Sequence, residues 1–413
     1  MIAAPSLQEE LNALFAGRQD LVDDPYPLYH RMRSEAPAMA YRSEVWVTRY
    51  SDVEVILRDA DLWSHRNYQG SRIRDFTAAL DGEERATFEK ISAFKELWMS
   101  GMDAPEHSRL RSLIHKVFTP RRVAEMRPQI ESITADLILS LQEAGDVEAV
   151  HDYAYGLPLY VIAAMLGAPR QDWEPIRDWS SVLAAFQPPH YRNIEGTWEA
   201  ITQFVDYTRA LIEDRRRATG QSDLLAALLE VDIDGDRLTQ QELEAMFVLL
   251  FFAGHETTTN LISNGIYRLL THPDELARLR HDPMLITGAV EELLRYDTNV
   301  QISTRVPLRD VEVAGVRIAA GTSVVPVIAA ANRDPERFPD PDRLDIGRPD
   351  NRHFGFSIGA HYCLGQALAR MEAATGIGRF FEAFPEAQLA ADVHWRPNIQ
   401  QRRVKELPVR LNQ

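Results

Sequence analysis

The amino-acid sequence predicts a mainly α fold with a minor β region, and three observations carry that prediction. Residues 125–235 alternate amphipathic helical stretches with glycine and proline breaks. Thr239-Gln240-Gln241-Glu242 is a capping box, and the helix it opens extends to Leu270, just before His272-Pro273. Strand signals are few, at residues 38–50, 300–327 and 395–411.

Composition bounds the function. The 413 residues would suffice for two or three average domains, yet no linker, low-complexity block or repeat divides them, so residues 1–413 are expected to form a single domain. With 45% hydrophobic and 26% charged residues, the chain has the material for a sizeable core. The net charge of −16 is spread along the chain and opposes attraction to nucleic-acid phosphates or anionic lipid. Residues 1–17 lack the apolar run of a signal peptide, and the longest apolar run, 245–253, is too short for a membrane anchor. One cysteine allows no internal disulfide, so the expectation is a cytoplasmic protein with no nucleic-acid partner.

In chain order, prolines at 25 and 27 open a short helix. Residues 38–50 read as a β-hairpin, and 51–58 as a helix capped by Ser51. Residues 63–101 form a long, partly helical excursion of the kind that covers a site. Asp103-Ala104-Pro105 opens a helix on which His107 and Arg111, four apart, share a face. Spacing alone favours a solvated basic face there; Lys116, Arg121 and Arg122 lie beyond it. Further breaks fall at Gly145, Gly167-Ala168-Pro169, Gln187-Pro188-Pro189-His190 and Gly220, with Trp179, Phe186, Tyr191 and Trp198 flanking the third.

The helix at 240–270 would be about 45 Å long. Inside it, Ala253-Gly254-His255-Glu256-Thr257-Thr258 places glycine, an acid and hydroxyls where helix propensity disfavours several of them. Such a cluster is either a kink with back-bonded hydroxyls or a functional site. Glu292 and Arg295 form an i, i+3 pair that by itself reads as a surface salt bridge. Residues 300–327 suggest a small mixed sheet, and 395–401 with 404–411 a terminal hairpin.

The single cysteine, Cys363, is a packed small hydrophobe, a nucleophile or a metal ligand. Glycines at 355, 359 and 365 surround it, and glycine lets a backbone approach a flat ligand closely. Strong helix formers follow, so the sulfur would sit at a helix N-terminus that favours a thiolate. A thiolate on a loop with open space beside it suits axial ligation of a haem iron.

Phe356, Gly359, His361, Cys363, Gly365, Ala369 and Arg370 stand in the order of a known haem-binding signature, and the sequence resembles the cytochrome P-450 haem-thiolate monooxygenases. Ser357 occupies a place where that family usually has glycine. The resemblance implies a cytochrome P-450 fold, a long central helix over haem b, with Cys363 as proximal iron ligand in a loop containing Phe356 and Gly365. It further implies that His107, Arg111, Arg305 and His361 hold the haem propionates, that Ala253 and Gly254 leave room for O2, and that Glu256 and Thr257 relay protons. Glu292, Arg295 and Arg337 would form a buried structural network.

The activity so implied is hydroxylation or epoxidation of a medium-sized organic substrate of secondary-metabolite or xenobiotic type. Electrons would come from NAD(P)H through ferredoxin reductase and ferredoxin, an acidic partner for Lys116, Arg121 and Arg122. Oxidative coupling or desaturation would use the same site; a non-enzymatic haem sensor would need no proton relay. Leu249, Leu250, Phe251 and Phe252 would give the substrate an apolar wall, and Asn299, Gln301, Asn398, Gln400 and Gln401 polar contacts.

Overall fold

A computed structural model describes residues 5–66, 70–142, 145–186, 191–217 and 223–411. The expected breaks at Gln187-Pro188-Pro189-His190 and Gly220 lie outside these residues. The long helix is present as Gln240–Leu270, 31 residues. Its capping box is complete: Glu242 N–H donates to Thr239 Oγ1 at 3.2 Å, and Thr239 N–H to Glu242 Oε2 at 2.8 Å. Gly156–Met165, Trp173–Ala185, Ile194–Arg217, Ile286–Tyr296 and Gln366–Ala383 all pack on this helix. Burial on nearly every face explains its many apolar residues.

The β region is assembled from distant pieces. Ala38–Tyr41 pairs antiparallel with Glu44–Val47, as the hairpin signal predicted, and Glu44–Val47 pairs parallel with Ser323–Pro326. Segment 300–327 does not form one mixed sheet: of its strands, only those of the hairpin pair within the segment. Val306–Pro307 pairs with Trp63–Ser64, and Val311–Val313 pairs with Val316–Ile318 through Ala314-Gly315, both left-handed (φ 47° and 80°). The terminal hairpin is reduced to a bridge, Trp395 to Val404, because Pro408–Arg410 pairs with Asp146–Glu148 and Gln388–Leu389. Ser51 is not a cap. The helix begins at Tyr50, whose N–H donates to Asp334 Oδ2 at 2.8 Å, a distant carboxylate doing what a local side chain was expected to do.

Glu292 and Arg295 are not a surface pair. Both side chains are fully buried and joined by two 2.8 Å bonds, and Arg295 also donates to the carbonyls of Asn332 and Pro341. Arg337 is outside this network: it pairs with Asp350, and Arg348 takes the expected place, 3.2 Å from Glu292. Arg337 instead lies over Tyr50 and Phe338.

A second buried hub ties the chain's ends to the central helix. Asp297 accepts from Tyr26 Oη at 2.9 Å and from Nε of Arg268 and of Arg402, each at 2.6 Å. Burial opposes ionisation of Asp297, but Arg268 and Arg402 overcome it and hold the carboxyl well below its usual range. A depressed carboxyl stabilises the fold above its ordinary pKa, and that contribution is lost as pH falls toward the folded value. Asp297→Asn leaves the buried Arg402 and the partly buried Arg268 short of a counter-charge; urea denaturation at neutral pH is expected to show a loss of about 3 kcal/mol.

Candidate active site

The cysteine loop is shaped by backbone bonds. Cys363 N–H donates to the Phe356 carbonyl at 2.9 Å, and Ser357 N–H to the Phe354 carbonyl at 2.8 Å. Phe354 N–H is held by Asn332 Oδ1 at 2.8 Å, and the ring of Phe354 stacks on Tyr50. Gly359 has φ 72°, and a Cβ there would press on the backbone of Leu57 and Arg58 at about 3.2 Å, so the turn needs glycine. Ser357 adopts φ 58° without being glycine, and its buried hydroxyl has no hydrogen-bond partner among the described residues.

Helix Gln366–Ala383 starts just beyond the thiol. Burial pushes the Cys363 thiol up, against the Gly365 N–H, Arg111 and Arg370, which pull it down. The stabilisation of a thiolate expected from the helix N-terminus is therefore outweighed by desolvation in the protein alone.

A cavity of about 450 Å³ opens beside this sulfur. Phe356, Cys363 and Gly365 line one wall; Ala253, Gly254 and Thr257 of the central helix line another; His107, Arg111, Arg305 and His361 complete it. The fold thus gathers ten of the eleven predicted site residues. The exception is Glu256, which is 1% exposed and turned to Arg403 Nη1 at 2.7 Å. Burial raises the Glu256 pKa against the pull of Arg403 and Arg396. Thr257 Oγ1 donates to the Ala253 carbonyl at 2.8 Å, and Asn299 Nδ2 to the Thr257 carbonyl at 2.5 Å. The helix interior is therefore both back-bonded and at the cavity.

Donors crowd one end. His361 stacks on His65 at 3.2 Å and on His107 at 3.9 Å between ring centroids. Burial pushes all three imidazoles below their ordinary values, with His361 down to about 2, and pushes Arg305 down to about 9. His107 Nε2 and Arg305 Nε have no acceptor among the described residues. Orphaned donors beside neutral imidazoles are what a pair of carboxylates would satisfy. A Cβ added at Gly365 would meet nothing within 4 Å, so the loop faces open cavity there. The residues present fit a haem.

Helical geometry sorts the substrate contacts. Leu249 and Leu250 line the cavity, whereas Phe251 packs on Phe204 and Phe247, and Phe252 on Trp98. Asn299 and Gln400 line it. Gln301 instead donates to Thr298, and Asn398 accepts from the backbone of Gln400 and Gln401. Of the four aromatics, Tyr191 reaches the cavity, Phe186 packs behind it, and Trp179 packs on Phe204 and Tyr207.

Polar cavity residues that the sequence did not single out include His65, Arg72 and Glu372. Arg72 pairs with Glu44 across the fold, a contact no local pattern announces. Glu372 had a signal, because it lies four residues after Leu368 and four before Gly376 on one buried face. It is 1% exposed, its Oε2 has no partner among the described residues, and burial raises its pKa well above the usual range.

A thiol on a glycine-rich loop, facing a hydroxyl-bearing helix across a cavity with anion-seeking donors, defines a haem-thiolate class of protein. The profile described as Cytochrome P450 matches residues 159–389. Cytochrome P450 107B1 of Saccharopolyspora erythraea is 40% identical over 97% of this chain and 98% of its own length. Vitamin D(3) 25-hydroxylase of Pseudonocardia autotrophica is 39% identical over 97% of this chain and 96% of its own length. The crystal structure of P450BioI in complex with hexadec-9Z-enoic acid ligated acyl carrier protein superimposes with a TM-score of 0.87 at 33% identity, covering 95% of this chain and 99% of that one. The chain belongs to the cytochrome P450 family and is a P450 monooxygenase. Among the described residues no helix is long and apolar enough to cross a membrane.

The left-handed Ser357 offers a direct test of loop strain. Ser357→Gly relieves a conformation that costs an L-residue about 1 kcal/mol. Denaturant unfolding is expected to register a gain of that order, with haem content unchanged.

Proposed function

We propose that this P450 hydroxylates or epoxidises a medium-sized organic molecule carrying both apolar and hydrogen-bonding groups, of secondary-metabolite or xenobiotic type. The supporting observation is the cavity itself: Leu249, Leu250 and Ile73 provide apolar surface, while Asn299, Gln400 and Thr304 provide polar contacts. The similar vitamin D(3) 25-hydroxylase is, by name, an enzyme acting on a molecule of this kind. Substrate, O2, two electrons and two protons give the oxygenated product and one water. When bound, the haem supplies the redox-active iron at which O2 is activated.

The chain's own residues hold and feed that centre. In this reading Cys363 is the iron ligand, Phe356 and Gly365 shape its loop, and Ala253 with Gly254 leaves room on the opposite side. His107, Arg111, Arg305 and His361 hold the two propionates, and His65, stacked on His361, joins them. Thr257 delivers protons to the cavity. Glu256, beside it on the helix and paired with the partly exposed Arg403, passes protons on to it, and Glu372 is a second acid facing the cavity. The electron source is a ferredoxin with its NAD(P)H-dependent ferredoxin reductase. Arg121, 89% exposed in its side chain, supports contact with an acidic partner. Lys116 and Arg122 contribute less: Lys116 donates to the Asp232 carbonyl, and Arg122 Nη1 is buried. We place the protein in the cytoplasm and read residues 1–413 as one domain.

The reading is tested by the absorption spectrum of the reduced protein under carbon monoxide. The long-wavelength Soret band of a thiolate-ligated haem under carbon monoxide is expected in the native protein and absent in Cys363→Ser. For the relay, Thr257→Ala is expected to keep haem and substrate binding. It should divert reduced cofactor to hydrogen peroxide, cutting product formed per NAD(P)H about tenfold or more. Unchanged coupling would remove Thr257 from proton delivery.

A further inference from the structure

One cation at the cavity is not accounted for by a haem. Among the described residues, Arg72, Arg111 and Arg305 are the arginines that line it. Two propionates would match Arg111 and Arg305 charge for charge, and burial pushes the neighbouring imidazoles of His107 and His361 toward the neutral form. Arg72 is left over.

The sheet places Arg72 at the start of helix Ser71–Ala78. Ser71 Oγ donates to the Ser43 carbonyl and accepts from the Ser323 N–H at 2.9 Å, while the Arg72 N–H donates to Ser323 Oγ at 3.2 Å. Ser323 lies opposite Glu44 in the parallel pairing of their strands, so fixing the helix start at Ser323 brings the guanidinium onto Glu44. Arg72 Nε donates to Glu44 Oε1, and the other carboxylate oxygen accepts from the Trp46 indole N–H at 3.0 Å. The pair is deep, with side chains 13% and 9% exposed.

The rest of the guanidinium is underused. Nη1 reaches Thr304 Oγ1 at a long 3.4 Å, and Nη2 has no acceptor among the described residues. Arg72 and Thr304 both line the cavity, next to the apolar surface of Ile73. The charge balance decides which ligand suits such donors. Glu44 already compensates Arg72, so a second anion would gain little attraction and would still lose its hydration. A neutral acceptor oxygen has less water to lose and meets donors that the protein leaves unsatisfied. A wholly apolar molecule would cover those donors and give them no partner.

We propose that Arg72 and Thr304 form a donor subsite for an uncharged acceptor oxygen of the substrate, such as a ketone, ester or lactone carbonyl, and that Glu44, by pairing with Arg72, turns carboxylates away. The proposal deepens the reading of this cavity as the substrate site and rests on it. Arg72 determines specificity by touching substrate; Glu44 is a positioning residue that acts through Arg72.

Cyclododecane, cyclododecanone and cyclododecanecarboxylic acid share one ring and differ in the group offered to the subsite. Their affinities are read from the Soret shift of the ferric holoenzyme at neutral pH. The native protein is expected to bind the ketone about tenfold or more tighter than the hydrocarbon or the acid. Arg72→Leu should bind the ketone no better than the hydrocarbon, with haem content and hydrocarbon affinity retained. Glu44→Gln leaves the guanidinium charge uncompensated, and its affinity for the acid should rise about tenfold, a gain that a merely structural Glu44 would not produce. Native binding of the acid as tight as that of the ketone, or a ketone preference that survives in Arg72→Leu, would overturn the proposal. So would an equal loss for all three probes together with haem, or a folded Glu44→Gln that gains nothing for the acid. Should Glu44→Gln not fold, Arg72→Leu decides. A carbon monoxide spectrum lacking the thiolate band would instead overturn the reading of the cavity. Equilibrium dialysis of the same probes, which needs no haem signal, would then still decide for or against Arg72.

Discussion

The buried carboxylate of Glu292 is the constraint on which the position of the thiol depends. It accepts from Arg295 twice, from Arg348, from the Asp345 N–H and from Asn351, so a fully desolvated acid is saturated with donors. Arg295 carries the connection to the Asn332 carbonyl, and the Asn332 side chain holds Phe354 N–H at the start of the cysteine loop. Asp334, two residues on, starts the helix against which Gly359 turns. A chain of hydrogen bonds thus runs from helix Ile286–Tyr296 to within nine residues of Cys363. No apolar packing would hold a glycine-rich loop to one conformation as tightly, because such a loop has few side chains to pack.

Charge is distributed unequally around the molecule's interior. In the two hubs, at Glu292 and Asp297, each carboxylate is matched by arginines and the groups are satisfied. At the cavity the balance is left open: His107 and Arg305 retain unmatched donors, and burial pushes the Cys363 thiol and the Glu372 carboxyl up. Unsatisfied groups are costly, and their concentration around one cavity marks where a ligand completes the structure.

Helical phase explains most of the differences between expectation and structure at the site. On Gln240–Leu270, residues 249, 250, 253, 254, 257 and 258 reach the cavity, while 251 and 252 point into aromatic packing and Glu256 points to Arg403. The motif identified the segment, and the hundred-degree step per residue decided which side chains serve it. Likewise, Arg348 rather than Arg337 joins Glu292, because the loop after Pro335 folds back further along the chain than the short motif suggests.

The sequence by itself determined the fold class, the long capped helix, the N-terminal hairpin and the cysteine loop, because these rest on local propensity and on a signature of closely spaced residues; the distant His107, Arg111, Arg305 and Thr257 followed only from the family that this signature resembles. It also located the interior of the central helix as exceptional, since glycine, acid and hydroxyl side chains break helical preference there. Only the tertiary structure decided which strands pair across the chain, that Arg348 rather than Arg337 joins Glu292 and Arg295, and that His65, Arg72 and Glu372 share the cavity with Cys363. These are contacts between residues as much as three hundred positions apart. Their energy depends on burial and on partners, and neither is written in the spacing of neighbours along the chain.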